Sequence, residues 1–275
     1  MQATLTTLLT NDEYRAQRGT SKSELDLANK SVALLEWSRN CPTDGSRSID
    51  LGTDVHCACL EPDVFAKDYV RMPEFGSGKA AAEKAEQFKE NMKGKIVLTT
   101  PEYQQVLDMR DSVLAHPVAN RLLTSKGISE ASIFSEMELQ DGSKIKVKCR
   151  PDRIVDPEVF GQHILVDVKK TADIDKFHWS VRDFRYHVQD AYYSDIYKHT
   201  DMYLKSNTES VRFIFIVVGE KRSIGRHPVR VFQLDRDTKE TGRKAYLQDL
   251  ETVNEYQEFG CGLDVEKLDL SGIIK

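Results

Sequence analysis

The spacing of apolar residues changes character near residue 130. Upstream of that point they recur at helical intervals. N-D-E-Y-R and T-S-K-S-E-L-D-L predict two short helices between residues 11 and 40. The first is capped by Asn11 or Asp12, and the second has the capping-box pair Ser21 and Glu24, which favours a cap over phosphate contact by Ser21 and Lys22. Trp37, following Leu34 and Leu35, is expected in the core. A Pro, Asp, Gly and Ser-rich loop over 41–48 leads to a helix over Leu51–Leu60, which sets Gly52 and His56 on one face. Pro73–Gly78 reads as a loop, with Gly78 and Lys79 forming a mobile flap before a solvated amphipathic helix. The G-S-G-K there is no phosphate loop, because Pro73 and Ala80 occupy the two positions that the pattern requires to be Gly and Ser or Thr. T-T-P-E opens a further helix, Pro101–His116.

Downstream the period is two. A-S-I-F-S-E-M-E-L and K-I-K-V-K-C-R flank an Asp-Gly turn and predict a hairpin. Its second strand sends Lys144, Lys146, Lys148 and Arg150 to one face, either as a solvent edge kept soluble by charge or as a phosphate track. Another strand covers His163–Lys169, followed by one long helix with Tyr186, Gln189, Tyr193 and Tyr197 on one side. V-R-F-I-F-I-V-V-G reads as a strand buried on both faces, H-P-V-R-V-F-Q-L as its neighbour, and Asp235–Tyr256 as a closing helix. The order is that of an α/β fold with a helix crossing between strands of one sheet.

Composition adds limits. In 275 residues, 40% apolar and 30% charged, no run of about 18 apolar residues occurs and the N-terminus lacks a signal-peptide pattern, so a cytoplasmic address is expected with no membrane partner. Five cysteines without C-x-x-C spacing point to reduced thiols rather than zinc. The net charge of -5 counts against a simple nucleic-acid backbone binder. A metal ion, or basic groups gathered on one face, would offset it.

The candidate chemistry lies between Cys149 and Lys169. Asp152 and Asp167 fall at the ends of neighbouring strands, and Asp167 and Lys169 share parity, so two carboxylates and an ammonium converge. Such a set suits hydrolysis of a phosphodiester by a hard divalent cation. Otherwise Asp152 caps a turn, Lys169 is a surface lysine, and His56 is a hydrogen-bonded structural residue.

P-D-R-I with L-V-D-V-K-K resembles the PD-(D/E)xK nuclease superfamily, and L-G-T-D-V-H-C with Q-D-A-Y-Y resembles its RecB-type branch. Together with S-K-S-E-L-D, D-V-K-K-T-A-D-I and R-Y-H-V-Q-D-A-Y-Y-S-D, these blocks resemble the RecE-type phage exonucleases (exodeoxyribonuclease VIII) over roughly residues 10–235. The resemblance implies a restriction-endonuclease-like core, a central mixed sheet flanked by helices, within one nuclease domain over 1–275. Residues 1–129 would form a helical part carrying the His motif, 130–258 the core, and 259–275 a tail. His56, Asp152 and Asp167 would bind metal together with the Val168 carbonyl, and Lys169 would serve the nucleophilic water. Gln189 and Tyr193 would stand near substrate phosphate, with Glu130 a secondary candidate. Mg2+ would be the cofactor, with Mn2+ a substitute. Some relatives hold an iron-sulphur cluster through a C-terminal cysteine group that this chain lacks, so none is expected, and Cys57 and Cys59 read as small helix residues. The resemblance further implies 5' to 3' digestion of linear double-stranded DNA, a tetrameric ring and a RecT-type annealing partner. In such a ring Lys79, Lys144, Lys146, Lys148 and Arg150 would meet the DNA. A structure- or sequence-specific endonuclease on the same fold and a non-catalytic DNA-binding module are the alternatives.

Overall fold

In the computed structural model, which describes residues 2–41 and 51–260, the N-terminal stretch forms strand β1 (Thr4–Thr6) and three helices where two were predicted. These are α1 (Asn11–Ala16), α2 (Lys22–Lys30) and α3 (Val32–Asn40). Thr10, rather than Asn11 or Asp12, caps α1, and the Ser21–Glu24 capping box opens α2 as expected. Trp37 is 66% exposed while Leu35 is fully buried. Two residues turn a helix by about 200°, so Trp37 faces away from the side on which Leu35 packs. The loop predicted over 41–48, beyond Cys41, and the tail from Cys261 lie outside the described residues.

Helices α4 (Leu51–Leu60) and α5 (Pro62–Asp68) follow, then β2 (Tyr69–Arg71), α6 (Lys79–Asn91) and β3 (Ile96–Leu98). Lys79 is the first residue of α6 rather than part of the loop before it. A Thr99–Glu102 capping box starts α7 (Thr100–Ala115), which leads through α8 (Pro117–Thr124) to β4 (Gly127–Ser129).

The hairpin is β5 (Ser132–Glu138) and β6 (Lys144–Cys149). It pairs with β1 in a three-stranded sheet separate from the main one. Pro151 lacks the N–H that would continue the ladder, so the chain leaves β6 and enters the main sheet as β7 (Arg153–Val155). After a helical turn α9 (Pro157–Phe160), strand β8 runs from His163 to Thr171. A 3-10 turn (Ile174–Lys176) then precedes α10 (Phe177–Asp183) and α11 (Tyr186–Tyr197). The single long helix predicted here is broken at Arg185, whose φ of 53° is left-handed and cannot continue a helix. Helix α12 (Asp201–Leu204), β9 (Val211–Gly219), β10 (Val229–Phe232) and α13 (Arg236–Phe259) complete the described chain.

The main sheet has the order β10-β9-β8-β7-β4, with β8 and β9 parallel and the other pairs antiparallel. Strands β8 and β9 are buried on both faces. Leu165, Phe213, Phe215 and Val217 pack with residues of α2, α3, α11 and α13, and Val166, Val168, Ile214 and Ile216 with residues of α4, α7 and α8. Helix α13 approaches α11 at Gly242, where a Cβ would lie 2.1 Å from the His187 carbonyl oxygen. Only glycine permits that contact, and through it α13 seats the helix that carries Gln189 and Tyr193.

Candidate metal centre

Antiparallel pairing of Arg153 with Val166 places Asp152, one residue earlier, beside Asp167, one residue later. The predicted convergence of two carboxylates is therefore a consequence of register. Asp152 Oδ2 accepts the Val168 N–H at 2.6 Å, which fixes its rotamer. Asp167 and Lys169 share the face opposite Val166 and Val168, and Lys169 Nζ lies 2.5 Å from Asp167 Oδ1. From α11, Gln189 Nε2 donates to Asp167 Oδ2. From α4, on the other side of the sheet, His56 Nε2 reaches Asp152 Oδ2 at 3.0 Å and Glu130 Oε1 at 3.4 Å.

Glu130 is a full member of this cluster. It follows β4 with a φ of 53°, a conformation non-glycine residues rarely take and one that recurs at functional sites. Its N–H donates to the Asp152 carbonyl at 3.0 Å, and Arg150 Nε donates to its Oε2 at 2.9 Å. Ligand atoms of His56, Glu130 and Asp152 all lie within 4.8 Å of one another. Asp167 stands next to this triad, engaged by Lys169 and Gln189, rather than inside it. Val168, assigned a metal through its carbonyl by the resemblance, contributes its N–H to Asp152.

The buried charges work against one another. Burial opposes the charge on His56, but Asp152, Glu130 and Asp167 outweigh it and push the imidazole up to about 9. Burial and the Asp152 charge raise Glu130 to about 7 and Asp167 to about 6. Asp152 is also penalised by burial, yet His56, Lys169 and the Val168 N–H hold it below the usual carboxylate range. Lys169 loses solvation but is raised by Asp167, Asp152 and Tyr186, so it keeps its proton.

A divalent cation fits these residues. The donor set is one imidazole and several carboxylate oxygens, and a hard ion prefers oxygen. Glu130 Oε1 and Asp167 Oδ1 are buried without a hydrogen-bond partner, Lys169 approaching the latter outside hydrogen-bond geometry. Buried unpaired oxygens are costly, and a cation held by His56, Glu130 and Asp152 would satisfy that of Glu130.

Beside the cluster opens a cleft of about 1370 Å³, walled by Lys169, Tyr186, Gln189 and Tyr193 at one end. It extends past Arg15, Arg18, Ser21 and Lys22 to Lys144 and Lys146. The capping box and a place in the cleft wall are thus both true of Ser21. Sequence periodicity missed the contribution of residues 14–26 because these residues reach the cleft only through a long-range contact: Thr20 pairs with Val147, covering part of the edge of β6.

The five predicted DNA-contacting residues separate into three groups. Lys144 and Lys146 are exposed and line the cleft. Lys148 is only 5% exposed, and its ammonium donates to the carbonyls of Tyr14, Arg15 and Gln17 at 3.3, 3.0 and 2.6 Å, while Arg150 is spent on Glu130 and the Thr10 carbonyl. Those two are tied to the protein at the two ends of α1, Lys148 at its C-terminal end and Arg150 at its N-cap, although Lys148 also lines the cleft. Lys79, on α6, is not among the cleft residues. Lys148→Met leaves three carbonyls without their donor and should cost roughly 2 kcal/mol, a fall of about 4–8 °C in Tm by calorimetry. Lys144→Met should leave Tm unchanged.

Residues 25–260 match the family described as a PDDEXK-like domain of unknown function, DUF3799. This chain belongs to that family. No curated protein matches its sequence. Its fold is similar to the crystal structure of a protein from Eubacterium rectale provisionally named an exonuclease, with a TM-score of 0.61 and 12% identity over 98% of this chain and 99% of that one. The expected α/β architecture, a mixed sheet flanked by helices, is therefore that of the PD-(D/E)xK nuclease superfamily. PDDEXK nucleases typically use divalent cations, and His56, Glu130 and Asp152 form a possible site for one. Cys57 and Cys59 are buried in α4 beside His56. No helix among the described residues is long and apolar enough to cross a membrane.

Proposed function

We propose that this protein is a Mg2+-dependent exodeoxyribonuclease of RecE type that digests linear double-stranded DNA 5' to 3' and leaves 3' single-stranded tails for recombination by annealing. The carrying observation is that Lys169 and Gln189, which hold Asp167 beside the His56–Glu130–Asp152 cluster, themselves line a cleft with basic walls. The cleft holds Arg15, Arg18, Lys22, Lys144 and Lys146 against Asp12, Glu24 and Asp26, which offsets the net charge of -5 where a phosphate chain would run.

His56, Glu130 and Asp152 would hold the cation, and Asp167 stands next to that triad. When bound, the cation neutralises the scissile phosphate and makes the attacking water more acidic. Lys169, protonated and fixed 2.5 Å from Asp167 Oδ1, orients that water and stabilises charge on the phosphoryl oxygens. Gln189 holds the second oxygen of Asp167, and Tyr193 forms part of the wall. A homotetrameric ring around the duplex, a RecT-type annealing partner and a cytoplasmic location belong to the same reading.

The test is a linear duplex labelled at its 5' or its 3' end, with Mg2+, Mn2+ or EDTA, beside covalently closed circular DNA. Release of nucleotides from 5' ends only, metal-dependent and absent on circles, is expected. Cutting of closed circles would replace the exonuclease by an endonuclease. For the cleft, Lys144→Ala with Lys146→Ala should reduce the slope of log Kobs against log salt by about 1–2, read by fluorescence anisotropy. An unaltered slope would remove these lysines from the DNA path.

A further inference from the structure

The break between α10 and α11 is braced from both sides. The Arg185 guanidinium pairs with Asp26 at 3.2 Å and Asp249 at 2.5 Å, holding the left-handed backbone that ends one helix and starts the next. Lys22 Nζ donates to the Phe184 carbonyl at 2.6 Å. On either side of Arg185 the break therefore presents two rings. Tyr186 stands in the cleft wall with Lys169 Nζ 4.8 Å from its ring centre and Lys22 Nζ 5.9 Å away. The Phe184 ring lies 5.7 Å from the Tyr186 ring at an interplanar angle of 30°, and Phe184 is 59% exposed.

Among the described residues, this exposed phenyl ring on an ion-paired corner has Tyr186 as its ring partner and leaves an apolar face open. Cations stand near it: Lys22 donates to the Phe184 carbonyl and, with Lys169, flanks the neighbouring Tyr186 ring, and Arg15 and Arg18 line the cleft whose wall Tyr186 forms. A flat aromatic ring beside a phosphate track is the arrangement that takes a nucleobase, since every base has a π face and stacking tolerates any sequence.

Resting on the nuclease reading above, we propose that Phe184, backed by Tyr186, is a stacking platform for an unpaired nucleobase of the strand whose phosphate reaches Lys169. A base inside a duplex is already stacked on both faces and must leave the helix to lie on this ring. Phe184 then captures the terminal base after it frays and holds the adjacent phosphate in register, making it a positioning residue. The enzyme favours ends that open easily.

The test uses full-length protein and a duplex with 2-aminopurine as its terminal 5' base, whose fluorescence falls on stacking. In Ca2+, or in EDTA, wild-type protein should quench a mismatched 2-aminopurine end. Phe184→Ala and Phe184→Leu should abolish the quenching, and Phe184→Tyr should keep it. In Mg2+, Phe184→Ala should lower kcat/KM on a paired end about tenfold, with rescue by Phe184→Tyr and no change in Tm. Quenching and kcat/KM within twofold of wild type in Phe184→Ala would overturn the platform. If the wild-type protein hydrolyses no DNA, the nuclease reading falls, and the fluorescence measurement still decides whether a base stacks on Phe184.

Discussion

Replacing Asp167 with alanine should slow DNA hydrolysis at least about a thousandfold while DNA-end binding persists. Charge stabilisation at a phosphoryl group by a cation and its ligands amounts to several kcal/mol, and about 4 kcal/mol is a factor of a thousand in rate. Asp167 is where three parts of the site meet: Lys169 pairs with one oxygen, Gln189 donates to the other, and Asp152 lies beside it across the β7–β8 ladder. Removing it frees Lys169 from its position and deprives the cation of a flanking carboxylate. Asp167→Asn, which keeps the shape and an oxygen for Gln189, should be similarly slow because the charge is gone. The basic walls at Arg15, Arg18, Lys22, Lys144 and Lys146 are not held by Asp167, so anisotropy should return a Kd near that of the wild type. Hydrolysis within tenfold of wild type in Asp167→Ala would move the reaction elsewhere.

The second large effect is on stability and depends on pH. Glu130 and Asp167 have folded pKa values raised to about 7 and about 6, so between about 4 and 7 the native state binds more protons than the unfolded chain. For an acid raised in this way stability falls as pH rises. His56, raised to about 9, contributes stability that is complete below about 6.5 and is lost as pH passes 9. Asp152, held low, acts in the opposite sense, but its window lies below pH 4. In EDTA, Tm should therefore drop between pH 5 and pH 9 by at least on the order of 10 °C, since the two acids together are worth about 4 kcal/mol and the loss of the His56 contribution adds to them. A divalent cation takes the place of these protons, so its stabilisation should be small at pH 5 and grow towards pH 9. Glu130→Gln removes one of the titrating acids and should flatten the EDTA profile. A metal-induced shift that shrinks with rising pH would contradict the proposed ligand set.

Where the chain was legible, periodicity and turn chemistry made it so. The Asp-Gly hairpin, the buried strand V-R-F-I-F-I-V-V-G, the capping box at Ser21 and the helix start at T-T-P-E are local statements, decided by a few adjacent side chains and backbone groups. Trp37 and the break at Arg185 were misjudged for a related reason. Which side of a helix is inside depends on what packs against it, and a left-handed arginine persists only because Asp26 and Asp249, distant in sequence, pair with it.

The sequence by itself determined through strand parity that Asp167 and Lys169 share a face, and it left open whether Asp152 joins them or caps a turn, which the Arg153–Val166 register decides. His56, Gln189 and Tyr193 join them in the sequence only through the resemblance of motifs in order along the chain. Only the tertiary structure decided that Glu130 joins His56 and Asp152, that Lys148 and Arg150 are tied to protein carbonyls and a carboxylate, and that residues 14–26 wall the cleft. Each of these rests on contacts between segments far apart in sequence. A lysine in an alternating strand is the same symbol whether water or a folded turn lies above it, and that difference decides whether its charge is free for a phosphate.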